Sequence, residues 1–302
     1  MTFLQNKKFF ILLLLHMAIA INAKPLKVHS KTFHLEKVCD SLPESVKESS
    51  GLLLYNNQYW TFNDSGNDAC IYALDKQNHE VIQRICIKNA QNIDWEAICA
   101  DSNFIYLGDI GNNFGSRSLL NIYRLKKVDI PKKGNAEVFA DVISFSYKNF
   151  KAPKTKEYSE FDAEAMICVN DTLLIFSKNW KKPFCEIYKI PASPGHYEIV
   201  PFSQFCIDGQ VTDATYHSLS SSLVLIGYAE YVPFILYFKK FEHSNCKYKS
   251  KKRKNYPTKY GLQLEASCFI DEGTIIVGSE YNVYTPGSLF KVDLYEENVN
   301  NK

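Results

Sequence analysis

Two carboxylates stand two positions apart in Asp94-Trp95-Glu96 and again in Asp162-Ala163-Glu164, and the turn GDIGNN (108–113) adds Asp109, Asn112 and Asn113 a short strand later. In an extended chain, side chains two apart project to the same side, roughly 7 Å from each other. Each pair therefore brings two negative charges to one place. Such groups share protons, pair with a lysine or arginine, or bind a cation. Hard oxygen ligands in excess, beside asparagines and Gly-rich turn carbonyls and without His or Cys, suit calcium better than zinc. The candidate metal ligands are Glu48, Asp94, Glu96, Asp109, Asp162, Glu164, Asp213 and Glu265. If the site is hydrolytic, Asp94, Glu96, Asp162 and Glu164 are the catalytic candidates, with Arg117, Lys178 and Tyr228 placed to contact a ligand. Lys178 and Arg117 read equally well as salt-bridge partners of the acids. Asp64, Asn67 and Asn113 have two readings, as site residues or as turn residues bonding their own backbone.

Positioning these groups requires strands. After residue 50, turn signals separate short runs rich in Ile, Val, Leu, Phe and Tyr, and no stretch sustains helical periodicity. The runs repeat. Each unit opens on an acidic or small polar pair, as in KESSGLLLYN, DWEAICAD, DAEAMICVN, TDATYHSL and LEASCFID. A second strand follows, then a third with a central Tyr or Phe, then a more polar fourth such as EVIQRICIK, FADVISFSYK or YEIVPFSQFCI. Tandem four-stranded units describe an all-β fold, a single β-propeller. Openings at Ser50, Glu96, Glu164, Asp213 and Glu265 give five four-stranded blades; the alternative of six needs another unit inside the long interval between Glu96 and Glu164, where KNFKAPKTKEYSEF reads as an extended loop. The last unit has three strands, so residues 31–38 are expected to supply its outer strand and close the ring. In a meandering blade, the start of the first strand and the end of the second lie at one end of the channel. The acids are thus expected at one mouth.

Residues 1–23, with Lys7 and Lys8 ahead of the apolar run FFILLLLHMAIA and Ala23 at its end, have the layout of a signal peptide. No cysteine stands at that cleavage point and no later run of about 18 apolar residues occurs. The expectation is a secreted or periplasmic monomer with no transmembrane segment, a propeller over 24–295 and a polar tail at 296–302. A formal charge of +2 predicts no nucleic-acid partner. KYKSKKRKNYPTK, residues 247–259, carries seven basic residues and no acid, and reads as a lysine-protected edge strand of the fourth blade. Among nine cysteines, Cys99 and Cys268 read as buried apolar groups, while Cys70 with Cys86 and Cys185 with Cys206 are possible cross-strand pairs. Trp60, Trp95 and Trp180 flank the acidic motifs, either as packing between blades or as a sugar-stacking platform.

The ordered set SGL, NDSGN, DWEAI, GDIGNN, DAEAM and TDA, across residues 48–285, resembles a family of secreted bacterial β-propeller proteins. More distantly it is similar to the five-bladed calcium-activated nucleotidases and the phytase-like propellers, through Trp95-Glu96 and the hairpin around Gly108 to Gly111. That resemblance implies calcium in the channel and attack of a metal-activated water on a phosphate ester. Three functions follow as expectations: a calcium-binding binding or scaffold propeller with a small anionic or polar ligand; a calcium-dependent phosphoester hydrolase; or a glycosidase with carboxylates across the channel.

Overall fold

Hairpins with compact turns organise the chain. Asn56-Asn57, Asn170-Asp171 and Glu230-Tyr231 all take positive φ at both central positions, the turn whose twist matches antiparallel strands. The computed structural model describes residues 33–259, 261–283 and 285–295. The expected signal segment and the polar tail lie outside them.

The strands run β1 (Leu35–Cys39), β2 (Leu53–Tyr55), β3 (Gln58–Thr61), β4 (Cys70–Leu74), β5 (Val81–Ile87), β6 (Trp95–Ala100), β7 (Phe104–Asp109), β8 (Leu120–Lys126), β9 (Ala136–Val138) and β10 (Asp141–Tyr147). They continue as β11 (Ala163–Val169), β12 (Thr172–Ser177), β13 (Phe184–Pro191), β14 (Gly195–Ile199), β15 (Ser203–Cys206), β16 (Gln210–His217), β17 (Ser222–Ala229), β18 (Val232–Lys239), β19 (Ser250–Asn255), β20 (Leu264–Phe269), β21 (Thr274–Ser279) and β22 (Ser288–Asp293). They form five sheets, the blades of a β-propeller, and β1 pairs antiparallel with β22. The N-terminal strand thus closes the ring, and the six-bladed alternative is excluded: the long interval holds β9, β10 and a strandless stretch instead of another blade.

Two blades carry a fifth strand taken from the blade that follows. β9 pairs parallel with β5, and β14 pairs parallel with β10. YEIVPFSQFCI is therefore two strands rather than one. Pro201 lacks the N–H a ladder needs, and around it the chain leaves blade two and returns as β15, the outer strand of blade three. Each borrowed strand covers an edge and ties neighbouring blades. β19 is the outer strand of blade four, as the basic run 247–259 predicts. Apolar faces pack between blades, where Trp60, Phe62 and Trp95 sit buried in one cluster and Phe205, Phe234 and Phe238 in another.

Cys70 and Cys86 face each other in register and are joined. Cys185 and Cys206 are not: Cys185 opposes Phe205 while Cys206 opposes Phe184, and this one-residue offset puts the thiols on opposite faces, one buried and one exposed. Replacing both Cys70 and Cys86 by Ser opens a loop with a sequence separation of 16, and is expected to lower stability by about 3 kcal/mol, read as a lower urea midpoint. Among the described residues no helix is long and apolar enough to cross a membrane.

Candidate metal centre

The first strands of four blades share a defect. β6 skips a residue against β7 between Trp95 and Ala97, β11 against β12 between Ala163 and Ala165, β16 against β17 between Val211 and Asp213, and β20 against β21 between Leu264 and Ala266. The residues left without a partner are Glu96, Glu164, Thr212 and Glu265. A bulge re-aims the side chain it carries, and here it interrupts the strict alternation that the DWE and DAE spacing invoked. Asp94 and Asp162 precede their strands, so neither pair sits in plain extended chain.

In the DWE pair the carboxylates meet at their tips. Oxygens of Asp64, Asp94 and Glu96 lie within 4.8 Å of one another. Asp64 comes from the turn after β3, so the trio joins blades one and two. Asn92 holds that junction: its amide donates to the carbonyls of Asn63 and Asp64, both at 2.9 Å, and its oxygen accepts from the Trp95 N–H at 3.1 Å. Asp64 also accepts from the Ser65 N–H. Its turn role and its place in the cluster are the same fact. Asp64 stands outside the set of ligands expected from sequence, as does Asn92, whose only signal is its position two residues before Asp94.

Gly111 forms the floor. A Cβ there would lie 2.6 Å from Glu96 Oε1 and closer still to Asp94 Oδ2. Gly111→Ala is therefore expected to push the two carboxylates apart and weaken any cation binding between them at least tenfold, measured by calorimetric titration with calcium, which requires oxygens at 2.3–2.6 Å.

The remaining candidates divide by partner. Asp109 is fully buried, accepts the Asp94 N–H at 2.9 Å and pairs with Arg117 at 2.9 Å. Arg117 also donates to the Gly111 carbonyl at 2.8 Å, so it clamps the hairpin. Asp162 accepts from the Asn112 N–H at 2.7 Å and from Trp180 Nε1 at 2.8 Å, linking blades two and three. Glu164 Oε1 pairs with buried Lys178, while its Oε2 is buried with no hydrogen-bond partner. Lys178 Nζ lies 5.0 Å from the Trp180 ring and 5.4 Å from the Tyr228 ring. Glu48 accepts from Asn67 at 2.7 Å. Glu265 and Glu280, at the blade-five end of the same mouth, feel the charge of Asp64 and Lys178.

Asp213 does not belong with this set. Grouping it with Glu96, Glu164 and Glu265 is one residue out of register, because the bulge of blade four falls on Thr212. Asp213 occupies the place that Ala97, Ala165 and Ala266 take in the other blades, and its buried carboxylate accepts from Ser267 Oγ at 2.7 Å. It ties blade four to blade five.

Burial and mutual repulsion hold protons on these acids. Burial, with Asp64 and Asp162 adding, pushes Asp94 up to about 7. Burial raises Glu96 well above the ordinary carboxyl range, and Glu164 is the strongest of the charges that reinforce it. Burial carries Glu265 to about 7 against the pull of Lys178, and Glu280 to about 8. For Lys178, burial works against the charge, but Glu164 and Glu265 outweigh it and keep the ammonium charged.

The two ends of the channel differ. First strands of all five blades line a cavity of about 200 Å³ toward the far end, with Leu52, Ile98, Cys99, Ile167, Cys168, Ala214, Cys268 and Phe269 among its walls and no carboxylate. The Trp180 ring beside the acidic mouth already stacks on Tyr158, centroids 4.1 Å apart, and Tyr158 on Phe114 at 5.3 Å. Trp60 and Trp95 are buried in the core. None of the three offers a sugar a bare face.

No protein-family model matches the chain, and no curated protein matches it. Among solved structures it is similar to a glucose dehydrogenase at 9% identity and TM-score 0.46, covering 86% of this chain and 99% of that one. It is similar to regucalcin from Agrobacterium tumefaciens, described as a calcium-binding protein, at 12% identity and TM-score 0.44, covering 86% and 94%. A chain of Kuenenia stuttgartiensis hydrazine synthase matches at 9% identity and TM-score 0.43 over 84% of this chain, which spans 65% of that chain's length. At these identities and TM-scores the likenesses carry nothing about what this chain does.

Proposed function

We propose that this is an exported propeller that binds one calcium ion at Asp64, Asp94 and Glu96 and acts as a binding or scaffold protein. The observation that carries the reading is the trio itself: three carboxylates within 4.8 Å. None of the three forms an ion pair among those found in the described residues. Supporting it, Gly111 lets Asp94 and Glu96 close in where a Cβ would force them apart, and Glu164 keeps a buried oxygen unpartnered. Oxygen-only ligands of flexible geometry favour calcium over zinc, and magnesium demands a stricter octahedron.

The hydrolase alternative assigns Lys178 and Arg117 to a phosphate. Their engagement with Glu164 and Asp109 removes that support. Calorimetric titration of the full chain with calcium tests the proposal. Saturation at one ion, lost in Asp94→Asn with Glu96→Gln, is the expected result; no heat at millimolar calcium sinks the reading.

A further inference from the structure

Between β10 and β11 the chain leaves the sheet and comes back to it. The two ends of this excursion meet: the Phe150 N–H donates to the Tyr147 carbonyl at 3.0 Å, the Phe150 and Phe161 rings lie 5.4 Å apart, and Phe161 lies 5.3 Å from Tyr147. A surface loop closed at its neck in this way is an Ω-loop. Every residue from 151 to 158 is exposed. The strap touches the body through its C-terminal half, where the Ser159 N–H donates to the Asn113 carbonyl at 2.7 Å and Glu160 pairs with Lys182 at 2.5 Å. Gly115, at a φ of 60°, lies under this crossing, and a Cβ there would come 2.8 Å from Ser159 Oγ.

The remaining contact is aromatic. Tyr158 stacks on Trp180 with centroids 4.1 Å apart and planes 15° from parallel, and on Phe114 at 5.3 Å and 22°. The platform beneath it is fixed and lies on the rim of the acidic mouth: Trp180 Nε1 donates to Asp162, and the Asn112 N–H, two residues before Phe114, donates to the same carboxylate. The cover is not fixed in the same way. A cavity of about 240 Å³ separates strap from body, with Asn149, Pro153, Tyr158, Phe161 and Lys181 among its walls. Segments with exposed backbone and few buried contacts open locally at low cost while the rest of the fold stays intact. Tyr158 meets the platform through its ring faces, and offset stacking asks nothing of tyrosine beyond a flat ring.

We propose that Tyr158 is a built-in occupant of a ring-binding place on the rim of the acidic mouth, and that the strap swings out about its Phe150–Phe161 neck so that a flat aromatic ring of a small ligand stacks on Trp180 beside Phe114 in its stead. The closed strap shields that place, so Trp180 has no bare face until Tyr158 leaves. The place uses none of the carboxylates of Asp64, Asp94 and Glu96, and its occupation is independent of an ion there.

The test compares the full native chain with Tyr158→Ala and Gly115→Ala. Trypsin cleavage mapped to the exposed Lys151, Lys154 and Lys156 reads the open population of the strap. Native protein should be cut there below its unfolding transition, and Tyr158→Ala roughly tenfold faster with the thermal midpoint of the body unchanged. Gly115→Ala, which lifts the strap from the side of the body, should accelerate the same cuts. Acrylamide quenching of tryptophan fluorescence reads Trp180, because Trp60 and Trp95 are buried, and should rise in Tyr158→Ala. Free p-cresol, the tyrosine side chain as a small molecule, should then bind Tyr158→Ala and restore the shielding, and should bind the native chain roughly tenfold more weakly because the tethered ring competes. Strap cleavage that follows only global unfolding, equal cleavage in native and Tyr158→Ala chains, or p-cresol that leaves the quenching of Tyr158→Ala unchanged would each overturn the proposal. So would p-cresol that binds the native chain as tightly as the variant.

Discussion

Millimolar calcium is expected to raise the thermal midpoint by about 5–10 °C and EDTA to reverse it. A ligand that binds only the folded state stabilises it by about 2.7 kcal/mol at a hundredfold excess over Kd, and a domain of this size shifts by roughly 2–4 °C for each kcal/mol. The mechanism fixes the sign of the variants as well. Nine carboxyl groups, Glu48, Asp64, Asp94, Glu96, Asp109, Asp162, Glu164, Glu265 and Glu280, crowd the mouth against Lys178 and Arg117. Glu96→Gln therefore removes the cost of burying and protonating that acid in the metal-free protein while removing a ligand. Glu96→Gln should melt higher than the native chain in EDTA and lower than it in calcium. A crossing of this kind separates a metal site from an acidic cluster that is only tolerated. Curves that keep the same order in both buffers would remove the calcium reading.

The five blades were legible because a repeat shows itself: first strands open on polar pairs, and positive-φ turns such as Asn56-Asn57 and Asn170-Asp171 punctuate the hairpins. Ring closure followed from an incomplete last unit. What stayed hidden was register. A bulge costs one residue and leaves no compositional mark, so the sequence does not tell Thr212 from Asp213, and the spacing groups Asp213 with acids from which the register separates it. The same one-residue offset separates Cys185 from Cys206. Parallel pairings such as β14 with β10 are non-local and have no turn to announce them. Asp64 is ambiguous in the sequence because a turn residue and a ligand have the same signature; the structure adds that its carboxylate lies within 4.8 Å of those of Asp94 and Glu96. Lys178 illustrates the converse, since its type suggested either an ion pair or a ligand contact and burial against Glu164 selected the first.

The metal-free protein is expected to lose stability steadily as pH rises from about 4.5 to 8. Asp94 and Glu265 titrate at about 7 and Glu280 at about 8 in the folded state, whereas unfolded carboxyls titrate near 4. Across that interval the folded chain binds more protons than the unfolded one, so each pH increment favours unfolding. The contribution is fully present below the unfolded values and is gone once pH passes the folded ones. A tenfold change in proton affinity is worth about 1.4 kcal/mol. Moving Asp94 from 3.8 to about 7 therefore sets a ceiling of ~4 kcal/mol for that group, reduced by its partial access to water. His79 opposes the trend, because burial holds its pKa below the ordinary 6.5 and its neutral form gains with rising pH; it is one group against several. Urea midpoints in EDTA at pH 5, 6, 7 and 8 measure the slope, and a flat or rising series would show that the acids do not retain protons. Calcium competes with those same protons, so the stabilisation it confers should grow over the interval in which the metal-free form weakens, and Asp94→Asn should flatten both curves at once.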